Sequence, residues 1–228
     1  VWRLFLKAYN AYCWFWFPLY RKLEVASLGI LITDPTVLPP VLFSEELLRG
    51  EIQGKRVLDI GTGCGIIALY AKRKGASHVL GIDINARAVS NAQVNLINNF
   101  VKANGIEFRH GDLYECVKEK FDIIVSNPPF LKLIPRQAND YKFCGGDILE
   151  RILKDAKKYL RAEGEVRILN PKSEMASLKK LASTFGYVME TFDHTPSKDT
   201  AFLRLLLRLS INPKVSMYVF RPTLNQAA

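Results

Sequence analysis

The sequence predicts an α/β fold, a mostly parallel sheet with helices on both faces. Three observations predict it. Short runs rich in β-branched residues recur from residue 55 onward, stretches of helical periodicity separate them, and glycines or capping residues mark the junctions. Strand, helix and strand in succession make a βαβ unit. A series of such units builds a parallel sheet that must be covered on both sides.

Each element can be justified in turn. KRVLDI (55–60) reads as a buried strand, IIALYAKRK (66–74) as a helix closed by Gly75, and HVLGID (78–83) as a second strand. Asn85 suits the cap of the next helix, where Val89, Ala92, Leu96 and Phe100 fall on one face. IEFRH (106–110) and FDIIVS (121–126) are the third and fourth strands. A helix is predicted from Asp147 to Leu160, with Ile148, Ile152, Ala156 and Leu160 aligned. EVRILN (165–170) is a fifth strand, and a helix over 173–185 ends before Gly186. YVMETF (187–192) and VSMYVF (215–220) read as strands. FLRLLLRLS (202–210) reads two ways: its leucines alternate as in a strand, while Arg204 and Arg208 also fit one helix face. A strand is expected, because antiparallel edge strands finish such sheets.

Residues 1–50 are expected to form a small helical and aromatic cap, linked through DPTVLPP (34–40) to a domain over 51–228. Its apolar stretch AYCWFWFPLY (11–20) is too short to span a bilayer and is interrupted by Pro18. No signal-peptide pattern follows, so no membrane partner is expected. The stretch reads as packed on the domain or as a flap over substrate. Cys13, Cys64, Cys116 and Cys144 are dispersed without a C-x-x-C pair, and His78, His110 and His194 are isolated. That pattern predicts no metal, no disulfide framework and a reducing, cytoplasmic location. The net charge of +10 favours a polyanionic partner such as RNA, or serves solubility alone.

The chemistry concentrates at the strand ends. In VLDIGTGCG (57–65), Asp59, Gly61, Gly63 and Gly65 mark the turn from the first strand into the first helix. Glycines there permit tight turning and close approach of a ligand. Asp83 ends the second strand, 22 positions after Gly61, a spacing that suits a carboxylate receiving ribose hydroxyls. Asp112 follows the third strand on the same rim. The glycines read G-x-G-x-G rather than G-x-G-x-x-G, and the acidic Asp59 suits a cationic or amine-bearing ligand better than a phosphate.

With DIGTGCG, GIDIN, GD and NPPF in this order, residues 55 to about 170 resemble the class I S-adenosylmethionine-dependent methyltransferases. More narrowly, they resemble the small-domain group that modifies planar nitrogens. The resemblance implies a Rossmann-like sheet of seven strands with an antiparallel last strand, and S-adenosylmethionine as cofactor. It also implies that Asp59, Gly61, Gly63 and Gly65 surround the methionine part, that Asp83 holds the ribose and that Asp112 contacts the adenine.

SNPPF (126–130) then acquires a role. An amide or aromatic amine is a poor nucleophile because its lone pair is delocalised. The Asn127 side-chain oxygen and the Pro128 carbonyl can accept hydrogen bonds from an NH2 group and favour a pyramidal nitrogen. Phe130 can stack on the flat acceptor, and Pro128 and Pro129 fix the backbone in advance. Most of the rate would come from positioning.

The resemblance allows the amino group of adenine or guanine, or a glutamine side-chain amide. Lys132, Arg136 and Lys142 in the following loop suit a phosphate backbone, or simply a solvated loop. Gly145-Gly146 before an acidic residue also occurs in glutamine methyltransferases. The sequence shows no large N-terminal substrate domain, and VLPPVLFSEELL (37–48) only partly echoes the proline-arginine-proline lead-in of that group. The expectation is therefore RNA (rRNA or tRNA), with protein glutamine as the alternative. A non-catalytic cofactor-binding protein is a third reading, which the intact Asn127-Pro128-Pro129-Phe130 opposes.

Overall fold

The computed structural model describes residues 22–25, 28–34, 36–37, 44–99, 104–129, 145–193 and 215–223. The N-terminal aromatic stretch, Phe100, Phe130, Lys132, Arg136, Lys142, His194 and the 202–210 run lie outside them.

Seven strands form one sheet among the described residues: β3 (Arg56–Ile60), β4 (His78–Asp83), β5 (Ile106–His110), β6 (Phe121–Ser126), β7 (Leu160–Pro171), β8 (Tyr187–Asp193) and β9 (Val215–Pro222). Their spatial order is β5-β4-β3-β6-β7-β9-β8. β3 to β7 pair in parallel, whereas β9 runs antiparallel to both of its neighbours. The central strands are continuous apolar runs because both of their faces are covered. Helices α1 (Ile66–Arg73) and α2 (Ala86–Asn99) cover one face, against Val57, Val79, Ile123 and Val125. Helices α3 (Ile148–Ala156) and α4 (Met175–Phe185) cover the other, against Leu58, Leu80, Ile124 and Ile168.

Local chemistry sets the boundaries. The Asn85 side chain accepts the Arg87 N–H at 3.1 Å and caps α2 as its sequence suggests. Gly75 and Gly186 sit at positive φ just after α1 and α4, where an L side chain would be strained.

The structure departs from expectation in two places. The helix predicted to Leu160 stops at Ala156, and β7 begins at Leu160 rather than Glu165. Glu163 at positive φ and a register shift between Phe121 and Ile123 absorb the extra residues of this long strand. The second correction concerns the helical cap. The described part of residues 1–50 is an antiparallel hairpin, β1 (Lys22–Val25) with β2 (Gly29–Ile32), and a 3-10 turn over Ser44–Leu48. Val25, Ile30 and Ile32 are β-branched, and Gly29 supplies a positive φ of 92° at the turn. Leu28, Leu31, Leu47 and Leu48 are buried in the same core as α1 and α2. The buried Arg167 guanidinium donates to the carbonyls of Leu47 and Arg49, fastening the 3-10 turn to β7.

Candidate functional site at the carboxyl ends of the strands

Parallel register brings the sequence motifs to one rim. Ile60 pairs with Ile82 on one side and with Ser126 on the other. The glycine loop, Asp83 and Asn127 therefore leave the sheet at the same level. The buried Ser126 hydroxyl donates to the Ile60 carbonyl at 2.8 Å, locking these two strand ends together. The Gly111 N–H donates to the Asp83 carbonyl at 3.1 Å, which draws the Asp112 turn to the same rim.

The glycine loop is held from both sides. The Gly61 and Thr62 N–H groups donate to the Ile82 carbonyl at 2.8 and 3.0 Å. The Thr62 hydroxyl and the Ala68 N–H donate to Asp59 Oδ2 at 2.7 and 3.2 Å. Asp83 Oδ2 accepts the Gly63 N–H, and its Oδ1 accepts the Asn85 N–H, each at 2.9 Å.

The three glycines serve different ends. All have positive φ. A side chain on Gly61 would enter open space, with no atom within 4 Å. One on Gly65 would lie 2.9 Å from Ala92 Cβ and 3.2 Å from Phe108, so its bareness serves the packing of α2 and β5. Gly61 therefore borders the space open to a ligand. Gly81, inside β4, has a comparable packing role: a Cβ there would lie 2.5 Å from the Phe108 ring.

The electrostatics favour a cation. Asp59 is fully buried, and desolvation pushes its carboxyl up to about 7, opposed by the Thr62 and Ala68 hydrogen bonds and assisted by nearby Asp83. Its Oδ1 is buried with no hydrogen-bond partner. Burial also raises Asp83, against the hydrogen bonds from Asn85 and Gly63. Two carboxylates costly to ionise beside an open glycine turn suit a positively charged ligand, which would offset that cost. An amine bearing a sulfonium fits this donor set. Asp112 differs, because its carboxylate forms an ion pair with Arg151 of α3 at 2.6 Å, at a half-exposed position.

A second layer escaped the sequence reading. Asn95, fully buried, accepts the Ile32 N–H at 2.7 Å and donates to the carbonyls of Ile32 and Cys64 at 2.8 and 2.9 Å. Asn91 accepts the Asp34 N–H and donates to the Ile32 carbonyl. Asn85 Nδ2 donates to the Thr36 hydroxyl, and Val37 lies 3.6 Å from the Cβ position of Gly63. The segment after the hairpin thus forms a wall beside the glycine loop. The available signal was asparagine at 91 and 95, one helical turn apart on the buried face of α2.

Beyond the end of β6, Asn127 and Pro129 are half-buried and Pro128 is buried. The Pro129 carbonyl passes so close to Gly145 that any side chain there would collide with it. The chain after Ser126 therefore turns toward the start of α3. The described residues do not include Phe130, Lys132, Arg136 or Lys142.

His78 is less isolated than the sequence suggests. With Glu107 and Glu119 it offers three potential ligand atoms within 4.8 Å of one another, near the amino ends of the strands and away from the glycine rim. Arg56 and Arg109 already pair with these carboxylates, so the group forms an ion-pair network. Cys64 and Cys116 are free thiols. Among the described residues, no helix is long and apolar enough to cross a membrane.

Sheet order, the antiparallel last strand and the acidic glycine rim define a class I S-adenosylmethionine-dependent methyltransferase. The chain belongs to the methyltransferase small domain family, which matches residues 41–195. It is 36% identical over 168 residues to a candidate protein N5-glutamine methyltransferase of Methanocaldococcus jannaschii, covering 68% of this chain and 83% of that one. It is 32% identical over 167 residues to a tRNA1(Val) (adenine(37)-N6)-methyltransferase of Parabacteroides distasonis, covering 70% of each. A crystal structure of a methyltransferase from Pyrococcus furiosus shares the fold, with a TM-score of 0.66, 18% identity, and coverage of 97% of this chain and 98% of that one. S-adenosylmethionine is the cofactor.

Proposed function

We propose that this chain methylates a planar NH2 nitrogen, and that the nitrogen belongs to a glutamine side chain of a protein substrate. The observation that carries the acceptor type is the position of Asn127, one residue beyond the Ser126–Ile60 pairing and level with the cofactor loop. The likeness to a candidate glutamine methyltransferase over 83% of its length supports glutamine. That coverage leaves little of the relative for an additional substrate domain, which removes the sequence argument against this acceptor.

The cofactor supplies an electrophilic methyl group on a sulfonium. Asp59, Gly61 and Gly63 would border its amino-acid part, Asp83 would receive the ribose hydroxyls through lone pairs not used by Gly63 and Asn85, and Asp112 would meet the adenine. Gly65 contributes by letting α2 approach the loop. Asn127 Oδ1 and the Pro128 carbonyl accept the two N–H hydrogens of the acceptor amide. Their pull localises the lone pair on nitrogen and orients it for in-line attack. The proton leaves after the new N–C bond forms, when nitrogen is cationic and strongly acidic, so no strong base is required. Pro128 and Pro129 hold these acceptors in place before substrate arrives.

A second reading, a nucleobase amino group in RNA, is favoured by the net charge of +10 and the likeness to a tRNA adenine-N6 methyltransferase. Methyl transfer from radiolabelled S-adenosylmethionine into a cell extract separates the two. Label lost on protease digestion and kept after nuclease supports a protein acceptor, and its recovery as N5-methylglutamine assigns it to glutamine. Label lost on nuclease digestion overturns it in favour of RNA.

A further inference from the structure

Asn170 is 2% exposed, yet both its amide nitrogen and its amide oxygen lack a hydrogen-bond partner. Buried amides are almost always paired, so a side chain unmet at both ends calls for an explanation. Its position offers one. Asn170 stands at the carboxyl end of β7, two residues beyond Ile168, which pairs with Ser126 of β6. Asn127, the first residue beyond that neighbouring strand, is the proposed hydrogen-bond acceptor of the reaction.

The face is also the right one. Ile168 packs among α3 and α4, and Leu169 packs against the opposite layer. Alternation returns Asn170 to the α3–α4 face. The Pro129 carbonyl lies against Gly145 at the start of α3, so the segment after Ser126 runs toward that same face. The cross-strand neighbour Ser216 directs its hydroxyl to Asp193 at 3.1 Å and leaves Asn170 unmet.

A primary amide presents one donor and one acceptor edge in a single plane. Asn127 and Pro128 take both N–H hydrogens of the acceptor carboxamide, so its oxygen is left to accept from Nδ2, while Oδ1 can accept a backbone N–H of the substrate peptide. We propose that Asn170 is a specificity residue of the acceptor site, recognising the carboxamide that Asn127 holds for methylation. This inference rests on the glutamine reading above. An acceptor without a carboxamide would leave the Asn170 amide unmet, a penalty by which polar sites discriminate strongly.

The test uses the full chain and a short peptide containing one glutamine, with kcat/KM for the peptide, KM for S-adenosylmethionine and Tm all measured. Asn170→Leu removes the unmet polar atoms and keeps the bulk; Asn170→Asp keeps the shape and removes the NH2 group. The expected result is a tenfold or greater fall in peptide kcat/KM for both variants. KM for S-adenosylmethionine should stay within twofold, and Tm of the leucine variant should not fall below that of the wild type. Peptide kcat/KM within twofold of wild type in either folded variant overturns the role of Asn170 while leaving the glutamine reading intact. A wild type that leaves the peptide unlabelled overturns the glutamine reading itself, and the proposed carboxamide partner with it.

Discussion

At the ends of β3 and β4, residues 61–65 are tied down by the Ile82 carbonyl, by Asp59 and by Asp83, and Asn95 fixes the Cys64 carbonyl from behind. At the ends of β6 and β7, Asn127 emerges into a half-buried turn and Asn170 keeps both amide atoms unmet. The first region is preorganised by its own hydrogen bonds. The second keeps polar groups in reserve. A cofactor common to many methyltransferases can be met by a fixed backbone loop, whereas selection among acceptors requires groups that only the right partner satisfies.

The largest effect should come from the buried carboxylate of the cofactor half. With the Asp59 carboxyl raised to about 7, the folded state holds its proton more tightly than the unfolded chain does. Stability without cofactor should therefore fall as pH rises from about 4 to about 7 and level off above, by up to on the order of 4 kcal/mol. Urea unfolding across that range measures the slope. Asp59→Asn should remove its own part of the slope, leaving the same-signed contribution of Asp83.

Asn95→Ala should cost about 2–3 kcal/mol, because it leaves buried backbone groups of Ile32 and Cys64 without their partner. Tm should drop by about 5–10 °C. A Tm within about 1 °C of wild type would mean that the hairpin is not fastened to the glycine loop in this way.

Asp83→Ala should weaken S-adenosylmethionine binding about tenfold or more, since it removes both the proposed ribose partner and the brace on Gly63. Unchanged affinity by calorimetry would remove Asp83 from the site. Arg151→Ala should have the smallest effect on stability, within about 1 kcal/mol, because its pair with Asp112 is half-exposed. A rise in KM for S-adenosylmethionine without loss of Tm would show that Arg151 orients Asp112 for the cofactor.

The glycine rim was legible because backbone demands leave marks on sequence. A glycine at positive φ, an acidic residue ending a strand and an asparagine cap each answer a local requirement at its own position. The packing role of Gly65 could not be separated from a ligand role, since both call for a missing Cβ. The fastening of the hairpin by Asn91 and Asn95 was hidden because its partners lie about 60 positions away, and nothing local names them. Burial without a partner, as at Asn170, is visible only once strands are in register. The hairpin was mistaken for helix because apolar segments this short have no decisive period.

The central claim is that Asn127 serves the chemistry and leaves cofactor binding to the opposite half of the rim. Methyl transfer by Asn127→Ala, measured alongside its calorimetric affinity for S-adenosylmethionine, tests it most directly. The account predicts a fall in transfer of about a hundredfold or more, with affinity within about twofold of wild type. Transfer equal to wild type would contradict it.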